Sequence, residues 1–102
     1  MSLVSPIIVH VDPDLEAIIP RFLANQQKAV AAMQQAWAAQ DYDTLRALGH
    51  KMKGAAGGYG FDVLTEFGRT IEDAAKASNA LPIQQALKAL DAYLDRVEVV
   101  YA

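Results

Sequence analysis

One imidazole in this chain stands where it could do chemistry: His50, in the run His50-Lys51-Met52-Lys53-Gly54-Ala55-Ala56-Gly57-Gly58-Tyr59-Gly60. Placed on a helix at about 100° per residue, the surrounding residues separate into two faces. Leu45, Leu48, Met52, Ala55 and Ala56 fall together on one side, and His50 points roughly 160° away from their mean direction. Lys53 and Gly54, three and four residues on, share the side of the imidazole. The pattern predicts an accessible ring with a cation one turn away and a residue without a side chain beside it. A neutral imidazole nitrogen is a nucleophile near neutral pH, so reversible covalent chemistry on that ring is what the spacing could support. A glycine inside a helix costs about 1 kcal/mol relative to alanine, so Gly54 breaks a local rule in an alanine-rich stretch.

Four helical patterns surround and position this run. Asp12-Pro13 reads as an N-cap followed by proline at the first helical position. Ile18, Ile19, Phe22 and Leu23, then Val30, Met33 and Trp37, recur at helical spacing, with Pro20 expected to divide a short first helix from a long second one. Asp41 and Asp43 can cap the helix of His50, which is expected to fail at Gly57, Gly58 and Gly60. Leu64, Phe67, Ile71, Ala74 and Ser78 mark the next helix, with Asp62 as its cap and Ser78-Asn79-Ala80 as the following turn. Pro82 suits the start of the last, in which Ile83, Leu87, Leu90, Leu94, Val97 and Tyr101 keep spacings of four and three. Met33, Trp37 and Phe67 read as core. Only Ile7-Ile8-Val9-His10-Val11 suggests a strand, and it is too isolated to build a sheet. Short connections between amphipathic helices imply antiparallel neighbours. The expected fold is all-α, an antiparallel up-down four-helix bundle with an additional short N-terminal helix.

Composition narrows the function. A chain of 102 residues fits one domain able to bury a core, with residues 1–11 as an N-terminal leader and 12–102 as the domain. The absence of cysteine excludes disulfides and thiolate metal sites, and with two histidines no metal site is expected. A net charge of −3 argues against a nucleic-acid partner. No apolar stretch approaches the roughly 20 residues of a membrane span, and no signal-peptide pattern opens the chain, so a cytoplasmic location is expected.

His50-x-x-Lys53-Gly54, with Gly60 at the tenth position after the histidine, resembles the signature of histidine-containing phosphotransfer (HPt) domains. Asp12 to Leu15 with Phe22 and Leu23 is similar to the family's first helix, Asp41 to Leu45 to the lead into its phosphorylation helix, and Leu64 to Glu72 to the helix that follows. Met52 stands where the family often has leucine, a swap of similar volume. Lys51 is not a fixed feature of the family pattern.

The resemblance implies a phosphorelay intermediate: His50 accepts a phosphoryl group from the aspartate of one receiver domain and passes it to that of another. It implies a carrier without its own ATP site or cofactor, with magnesium supplied by the receiver. Lys53 would steady the phosphoryl group, and Gly54, Ala47 and Lys51 would form the receiver's docking strip. The implied partners are response-regulator receiver domains or a hybrid sensor histidine kinase, and the implied state is a monomer. Two other classes compete. A non-catalytic helical docking or dimerisation module would not need the intact histidine and lysine. A histidine-kinase dimerisation domain normally places an acidic residue directly after its histidine, where Lys51 stands here.

Overall fold

The computed structural model describes residues 5–102, so the first four residues of the expected leader lie outside it. Four helices dominate: α1 (Ile19–Ala38), α2 (Tyr42–Ala56), α3 (Asp62–Lys76) and α4 (Ala80–Arg96). Two strands, β1 (Ile7–Val11) and β2 (Val97–Tyr101), lie outside the helices. The core joins Ile19, Phe22, Val30 and Met33 of α1 to Leu45, Met52 and Ala56 of α2. Leu64, Ile71 and Ala75 of α3 and Ile83, Leu87, Leu90, Tyr93 and Leu94 of α4 join it, as do Val11 of β1 and Phe61 before α3. Trp37 and Phe67 are half-buried against this core, and the Trp37 indole N–H donates to the Ala80 carbonyl at 3.0 Å.

The N-terminal region departs from the sequence reading in two ways. Among the described residues no short α-helix precedes α1. Asp12 and Pro13 instead begin a single 3-10 turn, Pro13–Leu15, in which Asp12 Oδ1 accepts from the Asp14 amide at 2.9 Å. Pro20 does not divide a helix; it lies in the first turn of α1, where its missing N–H has no intrahelical partner to lose. Ile7–Val11 is not isolated either. It pairs in parallel with Val97–Tyr101, Ile7 opposite Val97 and Val11 opposite Tyr101. The last helix therefore ends at Arg96, and the apolar positions Val97 and Tyr101 belong to a strand rather than to its helical stripe.

The turns follow local chemistry. Gln40 and Ser78, at φ of 55° and 52°, carry the chain out of α1 and α3 in the left-handed conformation that ends many helices. Asp41 caps α2, with its carboxylate accepting from the Thr44 amide at 3.1 Å and the Thr44 hydroxyl at 2.6 Å. Asp62, expected to cap α3, is instead its first helical residue; Phe61 occupies the cap without a side-chain bond, and the Asp62 carboxylate sits at the positive end of the helix dipole. After Ala56 the chain tightens into a 3-10 turn, Gly57–Tyr59, and Gly60 ends it at φ 86°, where a side chain would be strained.

Candidate functional site

α2 and α3 form the most extensive helix pair in the protein. Their crossing is set by two glycines. A Cβ placed on Gly49 would meet the Gly68 carbonyl oxygen and the Glu72 amide nitrogen at 2.8 Å; one on Gly68 would meet the Lys53 nitrogen at 2.6 Å and the Gly49 carbonyl at 2.7 Å. Only residues without side chains permit this approach. It brings the backbone beside His50 against the turn that carries Glu72.

Glu72 is the consequence. Its carboxylate, with a side-chain exposure of 7%, lies between the two helices and meets both His50 and Lys53 of α2. Oε2 stands 2.9 Å from His50 Nδ1, and Oε1 accepts from Lys53 Nζ at 2.6 Å. The Lys53 hydrogen bond is the largest influence holding the Glu72 carboxyl below its ordinary pKa; burial opposes it, and the bond from His50 and the charges of Lys53 and Lys76 assist. An ionised carboxylate can only accept, so Nδ1 carries the ring proton and the lone pair resides on Nε2. The imidazole itself is 69% exposed. The arrangement is a ring held at Nδ1, with its unprotonated nitrogen turned away from its buried partner.

His50 and Lys53 are brought together, as their spacing predicts, through a shared carboxylate. Lys53 is 32% exposed, with its ammonium held at Glu72. Gly54 is exposed, and a Cβ built on it would meet nothing within 4 Å, so no packing accounts for the glycine. Ala47 is exposed beside the ring and lines a recess with Arg46, His50, Glu72 and Lys76. Lys51 is placed apart from these. It borders a groove with Phe22, Gln26, Leu48 and Met52 on the α1 side of the helix. Ala55, expected on the apolar face, is exposed, and Leu48 is half-buried, so the buried stripe of α2 runs through Leu45, Gly49, Met52 and Ala56. His10 is exposed on β1.

The sequence reading missed Glu72, Gly49 and Gly68. A signal for Glu72 existed: Leu64, Gly68, Ile71, Glu72 and Ala75 follow one helical stripe at spacings of three and four, and a carboxylate inside such a stripe must have partners. Gly68 hid the stripe, because a residue without a side chain leaves no mark on a hydrophobic pattern.

No helix among the described residues is long and apolar enough to cross a membrane. No curated protein and no solved structure matches the chain significantly. A family model described as "Hpt domain" matches residues 17–99, which span all four helices and contain His50, Lys53 and Glu72. Hpt domains are phosphocarrier modules that interact with the receiver domains of response regulators in two-component signalling. With the match covering more than half of its length, the chain belongs to the Hpt domain family.

Proposed function

We propose that this protein is a phosphorelay intermediate in which Nε2 of His50 accepts a phosphoryl group from a receiver aspartate and yields it to another. The observation that carries this reading is the 2.9 Å contact between the exposed imidazole and the buried Glu72 carboxylate through Nδ1, which leaves Nε2 as the nucleophile. In the step, the Nε2 lone pair forms a bond to phosphorus while the bond from phosphorus to the aspartyl oxygen breaks, and the aspartate leaves as carboxylate. The ring keeps its Nδ1 proton and becomes positively charged. Glu72 faces that charge and offsets it, much as a buried carboxylate supports an imidazolium in hydrolytic triads. Departure of the phosphoryl group to a second aspartate reverses each change.

A phosphoryl group in flight spreads its charge over its equatorial oxygens, so positioning and electrostatics carry the rate. Lys53 contributes a cation tethered beside the ring. The receiver brings the magnesium and the reacting carboxylate, docking over Gly54 and Ala47, with Lys51 at the margin of the contact on the α1 side. In this role the four helices serve as an antiparallel up-down bundle and the protein as a cytoplasmic monomer, supplied by free receivers or by a hybrid sensor histidine kinase.

A transfer profile tests the reading. The chain is mixed with a panel of receivers phosphorylated on aspartate, and label is expected to pass to it from at least one within minutes. Label that stays on every receiver contradicts the proposal.

A further inference from the structure

Lys53 does not bring a free charge to the phosphoryl group. Its ammonium donates to Glu72 at 2.6 Å, and the carboxylate offsets much of its field. Two further cations share a recess with the ring. Arg46, one turn before His50 on α2, and Lys76, one turn after Glu72 on α3, line a recess of about 330 Å³ with Ala47, Glu72 and His50 itself. Helical side chains lean toward the N-terminus of their helix, so the imidazole leans over the turn that holds Arg46 and Ala47 rather than over Gly54. Ala47 is the small residue that keeps this recess open. Among the described residues Arg46 makes no ion pair, and Lys76 reaches Glu72 only at 4.0 Å with a side-chain exposure of 56%. Around the ring, three cations therefore face one carboxylate, and the two that are least engaged share a cavity with the nucleophile.

We infer that Arg46 and Lys76 form an oxyanion-binding recess for the dianionic phosphoryl group carried on Nε2 of His50, with Arg46 its principal donor. The inference rests on the phosphocarrier reading and assigns a second set of residues to it. A guanidinium presents a planar fork that matches two phosphoryl oxygens, and the Lys76 ammonium adds a point charge beside it. As the bond from Nε2 to phosphorus forms and the bond to the departing oxygen breaks, the charged equatorial oxygens meet the donors of this recess. Lys53 and Glu72 act together as the clamp on the imidazole; Arg46 and Lys76 act on the group it carries.

Phosphoramidate, a small phosphoryl donor that needs no receiver, separates these roles. Wild-type His50 is expected to take acid-labile label from it. Arg46→Gln is expected to label roughly threefold to tenfold more slowly, and Arg46→Gln with Lys76→Gln more slowly still, the deficit shrinking as salt is raised. Arg46→Lys restores part of the rate, and thermal melts of all variants stay close to wild type because both side chains are on the surface. Labelling of the double variant at the wild-type rate overturns the recess and leaves the phosphocarrier reading standing. A wild-type protein that takes no label at His50 from phosphoramidate or from any phosphorylated receiver overturns the phosphocarrier reading itself.

Discussion

Gly49 and Gly68 are matched across the α2–α3 crossing: a Cβ on either would lie within 2.8 Å of the other's carbonyl oxygen. A methyl group at Gly68 has nowhere to go but into backbone, which cannot rotate away. Gly68→Ala gains up to about 1 kcal/mol in helix propensity and loses about 1–3 kcal/mol to overpacking. The clash wins. A melting temperature several degrees below wild type is expected, with slower transfer because Glu72 moves off His50. Gly58→Ala, with nothing within 4 Å of the new Cβ, is the control and is expected to melt near wild type. Equal melting of Gly68→Ala and wild type would show that the helices separate without cost.

Glu72 orients the ring, so its substitutions grade by what they leave behind. Glu72→Gln keeps an oxygen able to accept from Nδ1 but loses the charge; Glu72→Ala loses both. Transfer is expected to fall in Glu72→Ala by roughly tenfold to a hundredfold, the range seen when carboxylates that orient metal-binding imidazoles are removed. Glu72→Gln lies between. Nitrogen NMR of His50 supplies a readout that loss of stability alone does not move: the fraction of rings protonated at Nδ1 falls in Glu72→Ala. An unchanged tautomer ratio in a folded Glu72→Ala protein contradicts the orienting role.

The same carboxylate makes stability depend on pH. Its folded-state pKa is lowered, first by the Lys53 hydrogen bond, so it stabilises the fold above its ordinary titration range and loses that contribution as pH falls through the depressed value. The gap in melting temperature between wild type and Glu72→Gln is expected to be full near neutral pH and to close below about pH 4. A gap as wide at pH 3 as at pH 7 would mean that ionisation of Glu72 contributes nothing.

Gly54 separates docking from folding. The space beyond its Cα is open, so Gly54→Leu is expected to raise the melting temperature slightly through helix propensity, by up to about 1 kcal/mol. The same side chain stands where a receiver must approach His50, and transfer is expected to drop. A destabilised fold, or undiminished transfer, removes Gly54 from the docking strip.

Helix identity and the exposure of His50 were legible because apolar spacing and a polar residue opposite it need no tertiary information. The α2 N-cap at Asp41 and the end of the helix at the glycines were legible for the same local reasons. What escaped depended on partners distant in sequence. Ile7–Val11 reads as a strand without a neighbour until Val97–Tyr101 pairs with it, and Val97 and Tyr101 happened to continue the helical spacing of α4. Pro20 was ambiguous, since proline both interrupts helices and opens them. Glu72 and the two crossing glycines were hidden together. Their significance lies in how closely α2 approaches α3, which no residue of α2 alone encodes.

The central claim is that His50 carries the phosphoryl group, and one substitution tests it most directly. His50→Gln replaces an exposed side chain and is expected to melt within about 0.5 kcal/mol of wild type. Exposed to a receiver phosphorylated on aspartate, wild type is expected to acquire acid-labile label and His50→Gln none. Label persisting in the folded His50→Gln protein, or found on His10, contradicts the account.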